Sequence, residues 1–314
     1  MVNVESPANL PQATPESVRL TGAFGTGLGA SAFLPPPGAG AQASIVYTHG
    51  FGETRGTWFG SAMTLAGHGH AGLAYDARGH GDSQRNAYDL PYAADQFIDD
   101  LIIVAGEQPE PPVLVGASMG GLVGLVAESR WPGLFSALVL VDITPHWEQA
   151  GLARMLDFAS AFPSGFESLE QAADLVAGYL PSLPRSSARQ LAPLMDRGED
   201  GRWRWHWDMR LVDDLLRDSA RYQDAIAEAA RSIRCPVLLV SGGRSERVSE
   251  HDIRSFQSLL PHTRHVRLPR TGHVLAGGDN DAFTGAVLDY LGTLSRARHT
   301  RVFTAFDSAS GARP

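Results

Sequence analysis

Short apolar runs rich in Val, Ile and Leu recur along the chain, separated by segments whose apolar residues return every three or four positions. The runs are Ala43–Thr48 (ASIVYT), His70–Tyr75, Pro112–Gly116 (PVLVG), Ala137–Asp142 (ALVLVD), Pro236–Ser241 (PVLLVS) and His265–Leu268 (HVRL). Strands that are apolar without alternation suit a sheet covered on both faces, as parallel sheets are. Ala93–Ala105 and Gly121–Glu128 carry helical spacing between strands and predict crossover helices. Val18–Leu34 predicts an antiparallel hairpin at one sheet edge. The expected fold class is therefore α/β, a mostly parallel central sheet flanked by helices.

The rhythm breaks between Pro145 and about Arg234, an interval far longer than an ordinary strand-to-helix connection. Helical spacing at Leu152–Phe162, Leu169–Leu180 and Leu211–Ala229 predicts an inserted helical cap over 146–234. The core is then built from 18–145 and 235–295. Residues 1–17 form a leader, and the polar tail 296–314 is expected to be disordered. Within the cap, Arg202-Trp203-Arg204-Trp205-His206-Trp207-Asp208 places Trp at alternate positions of an extended segment. Such a segment either lays an aromatic face over a ligand pocket or pins the cap to the sheet, and the second reading is preferred.

Composition narrows the classes. At 314 residues and 43% hydrophobic, the chain can bury a large core. A net charge of -8 argues against a nucleic-acid partner, which selects for basic patches. The single cysteine, Cys235, cannot close an internal disulfide and reads as a buried structural thiol. No stretch approaches the roughly 18 apolar residues of a membrane span. The N-terminus has no cationic start or apolar core of a secretory signal, so a cytoplasmic location is expected.

Gly116-Ala117-Ser118-Met119-Gly120-Gly121 follows an apolar strand and precedes a helical segment. That is the context of a G-x-S-x-G nucleophile elbow, where a sharp turn lifts the serine hydroxyl above the sheet. His49-Gly50-Phe51-Gly52 follows the ASIVYT strand. In elbow enzymes one oxyanion N–H belongs to the residue after the serine, here Met119, and a second to a loop such as this one, with Phe51 the candidate. His49 is read as holding that loop.

Thr271-Gly272-His273 lies on a loop after the last short strand, and an imidazole there can act as general base toward Ser118. The carboxylate behind it is Glu246 in the loop after PVLLVS, with Asp142 as the rival and Asp252 a distant third. Asp76-Ala77-Arg78-Gly79-His80-Gly81-Asp82-Ser83 is read as a structural loop beside the site.

Taken in order, HGFG, DARGHGDS, GASMGG, VDITP, PVLLVSGGRSE and TGH resemble the α/β-hydrolase superfamily over roughly Val18 to Leu294. Within it the chain is similar to the capped serine hydrolases, among them carboxylesterases, enol-lactonases and cofactor-free haloperoxidases. The resemblance implies oxyanion roles for Phe51 and Met119 and places the acid at Glu246. The family's commoner residue there is Asp, which keeps Asp142 in contention. Ser118 sets the chain apart from the dehalogenases and epoxide hydrolases of this fold, which attack with Asp. Ala117 stands where ring-cleavage hydrolases tend to carry Asn.

The expected function is hydrolysis of a small or medium carboxylic ester or lactone through an acyl-enzyme on Ser118. No cofactor and no metal are expected. The alternatives are carbon–carbon bond hydrolysis of a β-diketone or ring-cleavage product, and a non-catalytic binding module on the same fold.

Overall fold

The computed structural model describes residues 14–40, 42–145, 162–179, 186–243, 248–269 and 281–310. Eight strands form one sheet in the order β1-β2-β4-β3-β5-β6-β9-β10. They are β1 (Glu16–Thr21), β2 (Gly27–Phe33), β3 (Ile45–Thr48), β4 (Gly72–Tyr75), β5 (Val113–Ala117), β6 (Ala137–Val141), β9 (Val237–Gly242) and β10 (Thr263–Leu268). Strands β3 to β10 of this sheet pair in parallel, while β2 runs antiparallel to both β1 and β4. The edge hairpin of the sequence reading is thus the β1–β2 pair.

Alternate residues of the central strands feed two separate cores, because successive side chains in a strand point to opposite faces. Val46, Leu114, Leu138, Leu140 and Leu239 pack on one face, with Ile98 and Leu101 of α2 (Ala94–Gly106) and Leu125 of α3 (Met119–Arg130). Ile45, Tyr47, Val113, Val115, Val139 and Val141 pack on the other, with Leu65 of α1 (Phe59–Gly67) and with Phe283 and Val287 near the C-terminus. Continuous apolar runs in the sequence are the direct consequence of this two-sided burial.

Between β6 and β9 the described residues hold α4 (Leu169–Tyr179), a short α5 (Ala188–Leu191) and a long α6 (Arg210–Ser232). A two-stranded antiparallel ribbon, β7 (Met195–Arg197) with β8 (Trp203–Trp205), lies between α5 and α6. This ribbon includes two of the alternate tryptophans, Trp203 and Trp205, in an extended strand within the helical insertion. The expected helix at Leu152–Phe162 falls outside the described residues apart from its last residue.

After β9 come α7 (Glu250–Leu259), β10 and α8 (Asp281–Ser310). The last helix continues from the core through Arg296 to Ser310, a stretch the sequence reading placed in the tail. Residues 296–310 contain neither Gly nor Pro, so nothing in them stops a helix already nucleated on the core.

Candidate active site

Register sets the site at the carboxyl edge of the sheet. Thr48 lies level with Gly116 and with Tyr75, and Ala117 lies level with Val141. The next residues of these neighbouring strands, His49, Asp76, Ser118 and Asp142, therefore leave the sheet together. Open parallel sheets bind their ligands at this edge.

Ser118 joins β5 to α3 with φ 45° and ψ −121°, outside the regions an L-residue adopts at low energy. The turn holds because both neighbouring chains come close. A methyl added at Gly120 would lie 2.7 Å from the His49 carbonyl oxygen, so only glycine lets α3 start against the β3 loop. The same loop crosses the nucleophile candidate: a methyl at Gly50 would lie 3.2 Å from Ser118 Cβ. Ser118 itself is only partly buried. The first N–H groups of a helix have no intrahelical partner and carry its positive dipole end, and Met119 occupies the first position of α3.

Imidazoles hold the 49–52 loop. His49 Nε2 accepts the Ala77 N–H at 2.9 Å, and its Nδ1 lies 2.7 Å from the Gly50 carbonyl. His80 Nε2 accepts the Gly52 N–H at 3.2 Å, with Nδ1 3.1 Å from the Arg78 carbonyl. A ring nitrogen that accepts an amide N–H carries no proton, so both rings are neutral donors through Nδ1. Burial, reinforced by His49 and His206 nearby, holds the His80 imidazole well below its ordinary range.

The DARGHGDS loop is fastened as its charges suggest. Asp76, fully buried, accepts the N–H groups of Arg55 at 2.7 Å and Asp82 at 2.9 Å and pairs with the Arg55 guanidinium. Arg78 turns away from the site and forks onto Asp100 of α2, with both bonds at 2.7 Å. Its role is to anchor the loop.

Of the candidate acids, Asp142 is buried at 1% exposure and has a positive φ of 50°. Its Oδ1 accepts the Gly242 N–H at 3.0 Å, which ties the end of β6 to the end of β9. Asp252 instead caps α7 on the surface, accepting from Ser249. His273 and Glu246 lie outside the described residues.

The side chains of Phe51 and Met119 pack in an apolar cluster with Tyr92, Phe97, Phe166, Trp205, Trp207 and Leu211. Trp205 and Trp207 stack at 4.7 Å between centroids, and Phe51 sits 5.7 Å from Trp207. The Trp207 ring also lies on Gly52, where a methyl would meet it at 3.3 Å. Trp207, with Trp205 stacked on it, therefore joins the insertion to the 49–52 loop. His206, read in the sequence only as part of that aromatic run, lies between them in the chain, and its ring reaches the Gly81 N–H and the Gly52 carbonyl.

A mostly parallel eight-stranded sheet with a strained serine at a strand–helix elbow defines a hydrolase of the α/β class. The chain belongs to the alpha/beta hydrolase family, whose model matches residues 45–286. It is 29% identical over 247 residues to an esterase of Mycobacterium tuberculosis, covering 74% of this chain and 78% of that protein. It is 26% identical over 202 residues to a 2-(acetamidomethylene)succinate hydrolase of Mesorhizobium japonicum, covering 64% and 71%. The crystal structure of an E-2-(acetamidomethylene)succinate hydrolase superposes with a TM-score of 0.70 at 22% identity, covering 88% of this chain and 99% of that one, and shows the shared fold. Among the described residues no helix is long and apolar enough to cross a membrane.

Proposed function

We propose that the protein is a serine hydrolase that cleaves a carboxylic ester or lactone through an acyl-enzyme on Ser118. The observation that carries this reading is the strained Ser118 turn directly beneath the 49–52 loop. Strain of this kind persists only where the surroundings impose it, and the helix that opens at Met119 offers N–H groups suited to developing negative charge. The esterase relative agrees with the ester chemistry.

In the proposed cycle His273 takes the Ser118 hydroxyl proton as Oγ attacks the carbonyl carbon. The N–H groups of Phe51 and Met119 hold the oxyanion, and the imidazolium then protonates the leaving oxygen as the bond to it breaks. Water, deprotonated by the same imidazole, releases the acid and returns the proton. Two carboxylates compete for the place behind His273. Asp142 has in its favour burial, a strained backbone and an anchored Oδ1 at the same sheet edge as Ser118, and we assign it the role ahead of Glu246. The apolar lining by Phe51, Met119, Phe97 and Trp207 suits a substrate with an apolar acyl or alkyl portion, and the insertion serves as the cap over it.

A fluorophosphonate probe is expected to label Ser118 stoichiometrically, and Ser118→Ala to lose both labelling and hydrolysis of p-nitrophenyl esters. Labelling at any other residue sinks the reading. Asp142→Ala and Glu246→Ala, assayed side by side, decide the acid: full activity in Asp142→Ala returns the role to Glu246.

A further inference from the structure

His206, on the segment inserted between β6 and β9, makes hydrogen bonds to two core loops at once. Its Nδ1 accepts the Gly81 N–H at 2.7 Å, which leaves the proton on Nε2. That nitrogen faces the Gly52 carbonyl oxygen at 3.3 Å. Gly52 is thus gripped on both sides of one residue, its N–H by His80 and its C=O by His206. The peptide preceding Gly52 contains the Phe51 carbonyl, and the Phe51 N–H lies one peptide earlier. On the other flank the Gly50 carbonyl is held by His49. The orientation of the Phe51 N–H consequently depends on imidazoles from three places in the chain, and only His206 comes from the insertion.

We propose that His206 is a positioning residue that couples the inserted segment to the oxyanion loop by fixing the Gly52 carbonyl, and so sets the rate of the chemical step. This rests on the reading of Ser118 and the 49–52 loop as nucleophile and oxyanion donor. The attachment is reinforced by packing. Trp207 covers Gly52 and stands edge-on to the His206 ring at 5.4 Å, while His80 lies 6.0 Å away. Arg85 donates to the His206 carbonyl at 3.1 Å, tying the backbone of the same residue to the loop after Ser83. An insertion that carries one of the supports of the oxyanion loop makes a completed site depend on a seated cap, which suits binding energy being used in catalysis.

The charged and titratable groups facing His206 are His49 and Asp76 from the core loops, His80 beside it and Asp196 from β7. Burial outweighs the two carboxylates and, with His49, lowers the imidazole to about 4, so the neutral form with its single Nε2 proton prevails at neutral pH.

Two variants separate the bonds. Gln at 206 reaches the Nε2 position and can donate to Gly52, whereas Asn reaches only the Nδ1 position and can accept from Gly81. With p-nitrophenyl butyrate, His206→Asn is expected to lower kcat about 10- to 100-fold with KM within about threefold, the scale of a misplaced catalytic group. His206→Gln is expected to retain kcat within about fivefold of wild type. Equal kcat in both variants, or a change confined to KM, overturns the proposal while an inactive Ser118→Ala control leaves the nucleophile assignment standing. A fully active Ser118→Ala enzyme overturns the assignment and the proposal together.

Discussion

The guanidinium of Arg78 and the carboxylate of Asp100 meet in two parallel hydrogen bonds, each group only 1% exposed. Asn86 and the Ala23 carbonyl take further Arg78 donors, and Asp100 accepts the Ala23 N–H at 2.8 Å. The pair therefore ties the edge hairpin, the 76–83 loop and α2 together. Removing one partner leaves a buried charge uncompensated. Asp100→Ala is expected to cost about 3–5 kcal/mol in urea unfolding, and a loss below about 1 kcal/mol would show that the arginine escapes to water.

Strain at Ser118 predicts a trade between stability and activity. Glycine adopts φ 45°, ψ −121° with far less cost than serine or alanine. Ser118→Gly is expected to be inactive yet about 1 kcal/mol more stable than Ser118→Ala, measured by denaturant midpoints at constant m. Equal stability of the two variants would mean the turn relaxes without help.

Gly120→Ala tests the close approach of α3 to the His49 carbonyl. The added methyl has backbone on the other side of a 2.7 Å gap, not a flexible side chain. The loop or the helix must shift, so a loss of about 1–3 kcal/mol is expected, together with a fall in kcat larger than the change in KM. A variant that folds and turns over like wild type removes the steric account of the elbow.

The buried histidines predict acid sensitivity with a definite sign. His206 has a folded value near 4 against an ordinary 6.5, lowered chiefly by burial, and His80 is lowered in the same direction. The unfolded chain then binds protons that the native state refuses. Stability is complete above about pH 6.5 and falls as pH drops toward 4, by up to about 3 kcal/mol from His206 alone. Urea midpoints between pH 7 and 4 check this, and His206→Gln should flatten the slope. An unchanged slope in that variant assigns the acid sensitivity elsewhere.

Much of the site was legible in the order of residues because its parts are local. A nucleophile elbow is a strand, a turn and a helix within one stretch, so Gly116 to Gly121 announced it, and the HGFG loop followed its own strand directly. The choice of carboxylate for the proposed triad was not legible in that way. Asp142 and Glu246 follow different strands of the sequence, and which of two such distant residues stands behind a histidine depends on how strand ends line up across the sheet. The contacts of His206 were likewise hidden, since Gly52 and Gly81 lie far from it along the chain.

What the sequence by itself determined, then, was the strands of the main sheet, their two-sided burial and the strand–turn–helix at Ser118, because periodicity and glycine placement act within a few residues. Tertiary structure alone decided that the insertion contains a ribbon, that Trp207 rests on Gly52, and that the rings of His49, His80 and His206 converge on one loop. Those relations are hydrogen bonds and contacts between segments distant in the chain, and they exist only once the sheet has brought its strand ends to a common edge.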